Sequence, residues 1–155
     1  AVGGPIALIR DGDIIELGRL KIEVIATPGH TNDSVCLVLP DRVLTGDTLF
    51  VGAVGRPDLA GREREMAAQL HDTLQHKLMT LPADLEIYPG HQAGSACGAG
   101  LSGKPASTIG FEKRHNKAFR IDDEEEFVRR MLTDIPAPPP EAARLRALNA
   151  GAVGM

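Results

Sequence analysis

Thr27-Pro28-Gly29-His30-Thr31, Ser34-Val35-Cys36-Leu37-Val38-Leu39 and Thr45-Gly46-Asp47-Thr48 follow one another almost without a break. An apolar strand ends in a Pro-Gly turn that presents a histidine. A second apolar strand follows, and a third ends in a Gly-Asp turn that presents a carboxylate. A turn of the same style recurs at Tyr88-Pro89-Gly90-His91. Imidazole nitrogen and carboxylate oxygen together suit Zn, Fe(II) or Mn, and loops at strand ends are where a rigid scaffold holds such groups. Gly29, Gly46 and Gly90 precede the three polar residues and allow close approach to the backbone. A lone histidine after Pro-Gly is often no more than a turn residue; the repetition is what argues for chemistry. The turns are read as parts of one metal site, with His30, Asp47 and His91 as candidate ligands and His30 and Asp47 as the catalytic pair.

Around this stretch the chain reads as a mixture of strands and helices. Asp11-Gly12 signals a hairpin between an apolar run at Ile6 to Ile9 and residues Asp13 to Leu17, and Gly18-Arg19 signals another turn. Lys21 to Ala26 alternates as a half-buried strand should, with Lys21 and Glu23 outward and Ile22 and Val24 inward. Cys36 is expected to be a small buried hydrophobe. Leu49 to Gly61 is glycine-rich and irregular, fit to line a pocket. Within it Arg56 and Asp58 could bind a substrate or pair with each other, and the pairing is the simpler reading.

Met66, Leu70, Leu74, Leu78 and Leu81 share one face of a helix over 62–81 that Pro82 stops. His71 and His76 are five apart, do not share a face, and are expected at the surface. Residues 93–105 form a long loop rich in small residues around Cys97. Asp122 is expected to cap a helix with Glu125 at its third position, burying Phe127, Met131 and Leu132. Residues 136–140 are a proline-rich linker, and a last helix is expected to stop at Gly151.

The 155 residues suffice for one domain with a moderate core. Apolar content of 43% with 25% charged residues excludes a disordered chain. The net charge of −4 argues against nucleic acid or an anionic membrane as partner. No stretch approaches the roughly 20 apolar residues of a membrane span, and no signal-peptide pattern is read. Two cysteines make no disulfide framework, so a reducing, cytoplasmic setting is expected. The chain opens at Ala1 in mid-pattern and closes at Gly154-Met155 just after a helix-like segment, as a piece of a longer protein would.

The order Thr-Pro-Gly-His-Thr, Thr-Gly-Asp-Thr-Leu-Phe and Tyr-Pro-Gly-His resembles the C-terminal half of the metallo-β-lactamase fold. Residues 51–59, Val-Gly-Ala-Val-Gly-Arg-Pro-Asp-Leu, and the loop from Gly94-Ser95-Ala96-Cys97-Gly98 to Glu112 are similar to the persulfide dioxygenase (sulfur dioxygenase) branch. The resemblance covers roughly residues 5 to 150. It implies an α/β (α+β) architecture, half of an αββα sandwich with a mixed β-sheet and flanking helices. Residues 1–135 would be the metal domain. Residues 136–155 would be a linker and helix, leading in a longer parent to a rhodanese domain.

It also implies one Fe(II), with Zn as the alternative, held by two histidines and an aspartate. His30 and Asp47 match the second and third of those ligands. The substrates would be O2 and a persulfide of glutathione or another low-molecular-weight thiol, giving sulfite and free thiol. The family's first ligand motif, His-x-His-x-Asp-His, has no counterpart among His30, His71, His76, His91 and His115. Arg56, Asp58, Cys97 and Lys104 are the candidate substrate-side residues, with Arg114 a further cation near the pocket; solvated surface charge is an equal reading for the cations.

Two other functions fit. A two-metal thioester hydrolase of the glyoxalase II kind would have Asp47 bridge the ions and His91 hold the second. A catalytically inert fragment or assembly module would follow from the missing ligands, and the uncovered sheet of a half-fold makes a homo-oligomer the expectation.

Overall fold

Alternating and continuous apolar runs become one six-stranded sheet. The computed structural model describes residues 7–91 and 103–133, with the isolated positions 135, 141, 144, 145 and 148. The sheet contains β1 (Ile14–Leu17), β2 (Leu20–Ala26), β3 (Val35–Val38), β4 (Arg42–Gly46), β7 (Glu86–Pro89) and β8 (Ser107–Thr108), in that spatial order. A separate two-stranded ribbon, β5 (Leu49–Phe50) and β6 (Ala53–Val54), follows β4. Every neighbour in the large sheet is antiparallel except β4 and β7, which run parallel. The sheet is therefore mixed, as expected. The β4–β7 register shifts between Leu44 and Gly46, just before the Asp47 turn, and bulges of this kind often re-aim the residues beside a site.

Three helices cover one face. The long apolar pattern at 62–81 folds as α1 (Glu63–Asp72), a π turn at Thr73–Lys77 and a 3₁₀ turn at Leu78–Thr80. Met66, Leu70, Leu74 and Leu78 are wholly buried on it. Leu70, Leu74 and Leu78 join Cys36, Val43 and Ile87 from the sheet, Ile109 from α2 (Ile109–His115) and Phe127 from α3 (Glu124–Thr133) in one core. On the opposite face Leu44 and Tyr88 are exposed, with the Arg42 guanidinium over the Tyr88 ring.

Several local expectations move. The first hairpin turns at Gly18-Arg19, not Asp11-Gly12, because β1 pairs with β2 from Leu17–Leu20 outward. Residues 7–10 form no strand. The cap of α3 is Asp123, whose Oδ1 accepts from the Glu126 N–H at 2.7 Å, one residue later than the Asp122 reading. His71 is buried rather than superficial: its Nε2–H donates to the Ile121 carbonyl at 2.9 Å and its ring tilts against Phe127. The irregular stretch after Leu49 contains the β5–β6 ribbon and a short 3₁₀ turn, and α2, unread in the sequence, is capped by the Thr108 hydroxyl accepting from the Phe111 N–H. The start of the first apolar run, the Cys97 loop over 92–102, the linker at 136–140 and the end of the last helix lie outside the described residues. Among the described residues no helix is long and apolar enough to cross a membrane.

Candidate metal centre

β3 runs antiparallel to both β2 and β4, and β7 runs parallel to β4. β2, β4 and β7 therefore point the same way, and their C-terminal ends share one edge of the sheet. Each is followed by one of the three polar turns, so the topology delivers His30, Asp47 and His91 to one place. The Gly90 N–H donates to the Gly46 carbonyl at 2.8 Å and stitches two of the turns together. The Thr48 N–H closes the Asp47 turn on the Thr45 carbonyl at 3.0 Å, with Gly46 at φ +50°. The buried hydroxyls of Thr27 and Thr48 lie 2.9 Å apart and join the His30 turn to the Asp47 turn from below.

His30 is only 5% exposed. Its Nδ1 lies 2.8 Å from the Arg56 carbonyl oxygen. A carbonyl only accepts, so Nδ1 carries the proton and, in the neutral ring, Nε2 keeps a lone pair. That lone pair faces Asp47 Oδ2 at 3.4 Å. Two acceptors opposed in this way are satisfied by a second proton on the ring or by a metal ion between them, and two donors each about 2.1 Å from one ion can span such a gap. The other carboxylate oxygen, Oδ1, accepts from His91 Nδ1–H at 2.7 Å. The His91 ring meets Phe50 edge-on, with centroids 6.2 Å apart. Burial pushes the Asp47 carboxyl pKa up, but the neighbouring imidazoles, His91 as donor and His30 in the state where its Nε2 is protonated as well, outweigh it and hold the carboxyl below its ordinary value.

The donors present thus fit a borderline divalent ion in kind and spacing. They are two of a set: among the described residues no three His, Cys, Asp or Glu side chains are grouped to hold a metal. His91 is turned to Asp47 as a hydrogen-bond donor. Glycine makes the approach possible. A Cβ on Gly55 would fall 2.0 Å from the Asp47 carbonyl oxygen and 2.9 Å from His30 Nδ1, and one on Gly90 would fall 2.7 Å from Asp47 Oδ1.

Arg56 and Asp58 are brought together as a bidentate pair, Nε to Oδ1 and Nη2 to Oδ2 both at 2.6 Å. The guanidinium holds the Asp58 carboxyl below its ordinary range. This pairing fixes the loop whose Arg56 carbonyl orients His30. Lys104 is exposed, its Nζ 5.7 Å from the Phe111 ring centroid, and Arg114 is exposed on α2. Cys97 lies outside the described residues. Cys36 is buried, and burial pushes its thiol pKa up to about 11. The Arg56 carbonyl and the Thr27–Thr48 contact escape a reading of side-chain motifs. The threonines stand in the motifs themselves, whereas a backbone carbonyl leaves no mark in the sequence.

The sequence profile of the Metallo-beta-lactamase superfamily matches residues 2–91. Human mitochondrial persulfide dioxygenase ETHE1 is 34% identical over 135 residues, 86% of this chain and 48% of that protein. A Bacillus velezensis protein named "Probable polyketide biosynthesis zinc-dependent hydrolase BaeB" is 30% identical over 120 residues, 77% of this chain and 48% of its own. The crystal structure of a metallo-beta-lactamase from Staphylococcus aureus superposes with a TM-score of 0.86 at 36% identity, over 92% of this chain and 44% of that one. That of ETHE1 from Myxococcus xanthus gives 0.77 at 36% identity, over 97% and 64%. The chain spans about half the length of the curated relatives it matches. With its mixed sheet, its strand-end turns and a profile match over more than half its length, the chain belongs to the metallo-beta-lactamase superfamily.

Proposed function

We propose that this chain is the part of a persulfide dioxygenase that contributes His30 and Asp47 to a single Fe(II) centre. There a persulfide of glutathione or another low-molecular-weight thiol is oxidised with O2 to sulfite and free thiol. The carrying observation is the opposition of His30 Nε2 and Asp47 Oδ2, two acceptors 3.4 Å apart with no proton between them in the neutral ring. The likeness to mammalian proteins named persulfide dioxygenase supports this substrate class. Fe(II), when bound, supplies open coordination positions and the redox chemistry that O2 requires. The third protein donor comes from outside the described residues.

The chain's own residues hold and aim. The Arg56 carbonyl fixes the His30 tautomer. His91 holds Oδ1 of Asp47, which leaves Oδ2 turned to His30, the kind of outer contact that tunes a ligand. Arg56 and Asp58 act on the substrate side through the loop they stiffen, and Cys97 and Lys104 are the remaining candidates for contact with the thiol carrier.

The test uses the complete protein, loaded anaerobically with Fe(II), with elemental analysis and O2 uptake on glutathione persulfide. One iron per chain and uptake abolished by His30→Ala or Asp47→Ala are expected. Full iron loading without uptake would overturn the proposal. The 2.7 Å approach of His91 to Asp47 favours a second reading, a dinuclear thioester hydrolase. That reading requires two zinc equivalents and the loss of one in His91→Ala. The mononuclear reading requires one metal in both proteins, bound about 10–100-fold more weakly in the variant.

A further inference from the structure

Glu112 is wholly buried, and no cation pairs with it among the described residues. Its Oε2 accepts from the Gly52 N–H and from Asn116 Nδ2, both at 2.9 Å, while its Oε1 is buried with no hydrogen-bond partner among the described residues. Such a carboxylate is expensive to bury, and packing alone would be served better by an apolar side chain. Its neighbour repeats the connection: Asn116 Nδ2 also donates to the Ala53 carbonyl at 3.1 Å. Glu112 and Asn116 thus grip the turn between β5 and β6 at its consecutive residues Gly52 and Ala53, where Gly52 takes φ +82°.

The grip has a firm base and a short reach. α2 is anchored by the Ile109 N–H on the Leu85 carbonyl, the Gly110 N–H on the Ala83 carbonyl and Lys113 Nζ on the Leu81 carbonyl, at 2.9, 2.8 and 2.7 Å. Beyond the gripped turn, β6 leads at once into Gly55, which lies against Asp47 and His30, and into the Arg56 carbonyl that receives His30 Nδ1–H. We propose that Glu112 is a positioning residue for His30: from α2 it clamps the β5–β6 turn so that the Arg56 carbonyl holds the proton on Nδ1 and leaves Nε2 aimed at Asp47. Only the metal-affinity part of its test rests on the metal-centre reading above.

The test compares the full chain with Glu112→Ala, Glu112→Gln and Asn116→Ala. Nitrogen-15 NMR of labelled histidine at about pH 8, without metal, reads the His30 tautomer. Titration with Zn(II) alone reads affinity, and circular dichroism reads the fold. The wild type and Glu112→Gln, which keeps an acceptor oxygen, are expected to show one tautomer with the proton on Nδ1. Folded Glu112→Ala is expected to populate both tautomers and to bind Zn(II) about 10-fold or more weakly. Folded Glu112→Ala with the wild-type tautomer and affinity would overturn the inference, since loss of packing alone lowers stability without moving either. Should Glu112→Ala not fold, Asn116→Ala, which breaks the same grip at Ala53, is read by the same two outcomes. Failure of the wild type to bind Zn(II) would count against the metal centre, while the tautomer readout still decides the role of Glu112.

Discussion

Gly29→Ala tests whether α1 sets the aim of His30. Gly29 takes φ +145°, a conformation that L side chains rarely adopt, and forcing one there costs about 1–3 kcal/mol. The new Cβ would stand 2.5 Å from Leu70 Cβ, 2.6 Å from Leu70 Cα and 2.9 Å from its nitrogen. Carbon atoms rest at about 3.5–4.0 Å, so the helix or the turn must yield by about 1 Å, and such overpacking costs about 1–3 kcal/mol more. The sum, about 2–6 kcal/mol, is a large share of the roughly 5–15 kcal/mol that holds a domain together. Urea unfolding followed by circular dichroism measures it. Gly12→Ala is the control: Gly12 has φ +83° with open space around it, so its loss reports the backbone term alone. The excess loss in Gly29→Ala is the packing term together with whatever φ +145° costs beyond φ +83°. A Gly29→Ala loss no greater than that of Gly12→Ala would refute the claim that α1 presses on the His30 turn.

Asp58→Asn is expected to destabilise the chain by about 2–4 kcal/mol at neutral pH, since it breaks a largely buried bidentate pair. Arg56 lowers the Asp58 carboxyl pKa in the folded state, so the contribution is full above the ordinary carboxylate value and lost as pH falls through the lowered one. Unfolding curves of wild type and variant should therefore converge in acid; a gap that widened there would contradict the pairing. Cys36, with its thiol at about 11 and no exposure, should resist iodoacetamide in the native chain and react after denaturation, as peptide mass spectrometry would show. Asp123→Ala should lose about 1 kcal/mol through the α3 cap, against about 0.5 kcal/mol or less for Asp122→Ala, both read by thermal melts.

Sequence legibility followed the range of the interaction. The apolar face from Met66 to Leu78 and the alternation of Lys21 to Val24 are periodic, local and strongly tied to burial, and both appear in the structure. Where the deciding partner lies far away, the sequence misled or was silent. His71 reads as a surface residue until α3 brings Phe127 to its ring. Asp11-Gly12 reads as a hairpin turn until β1 pairs with β2 around Gly18-Arg19 instead. Asp122 and Asp123 are equal as capping residues by composition, and the start of α3 at Glu124 makes Asp123 the cap. Glu112 ends the stretch that resembles the persulfide dioxygenases, but its role is silent there, because its partners are a backbone N–H sixty residues earlier and one amide side chain.

For the candidate site, the divide between what the sequence carries and what it does not is directional. Three strand-end turns, each with glycine before a histidine or aspartate, are visible in the sequence as similar objects, but similarity does not bring them together. Convergence requires that β2, β4 and β7 point the same way, and it is the insertion of antiparallel β3 between β2 and β4, and the long return from β4 to parallel β7, that arrange this. Once the ends share an edge, polarity follows from backbone chemistry. A carbonyl at Arg56 takes the proton of Nδ1, and what is left opposite Asp47 is a lone pair. In the neutral ring the fold thus leaves two acceptors face to face, a gap that a proton or a metal ion can bridge.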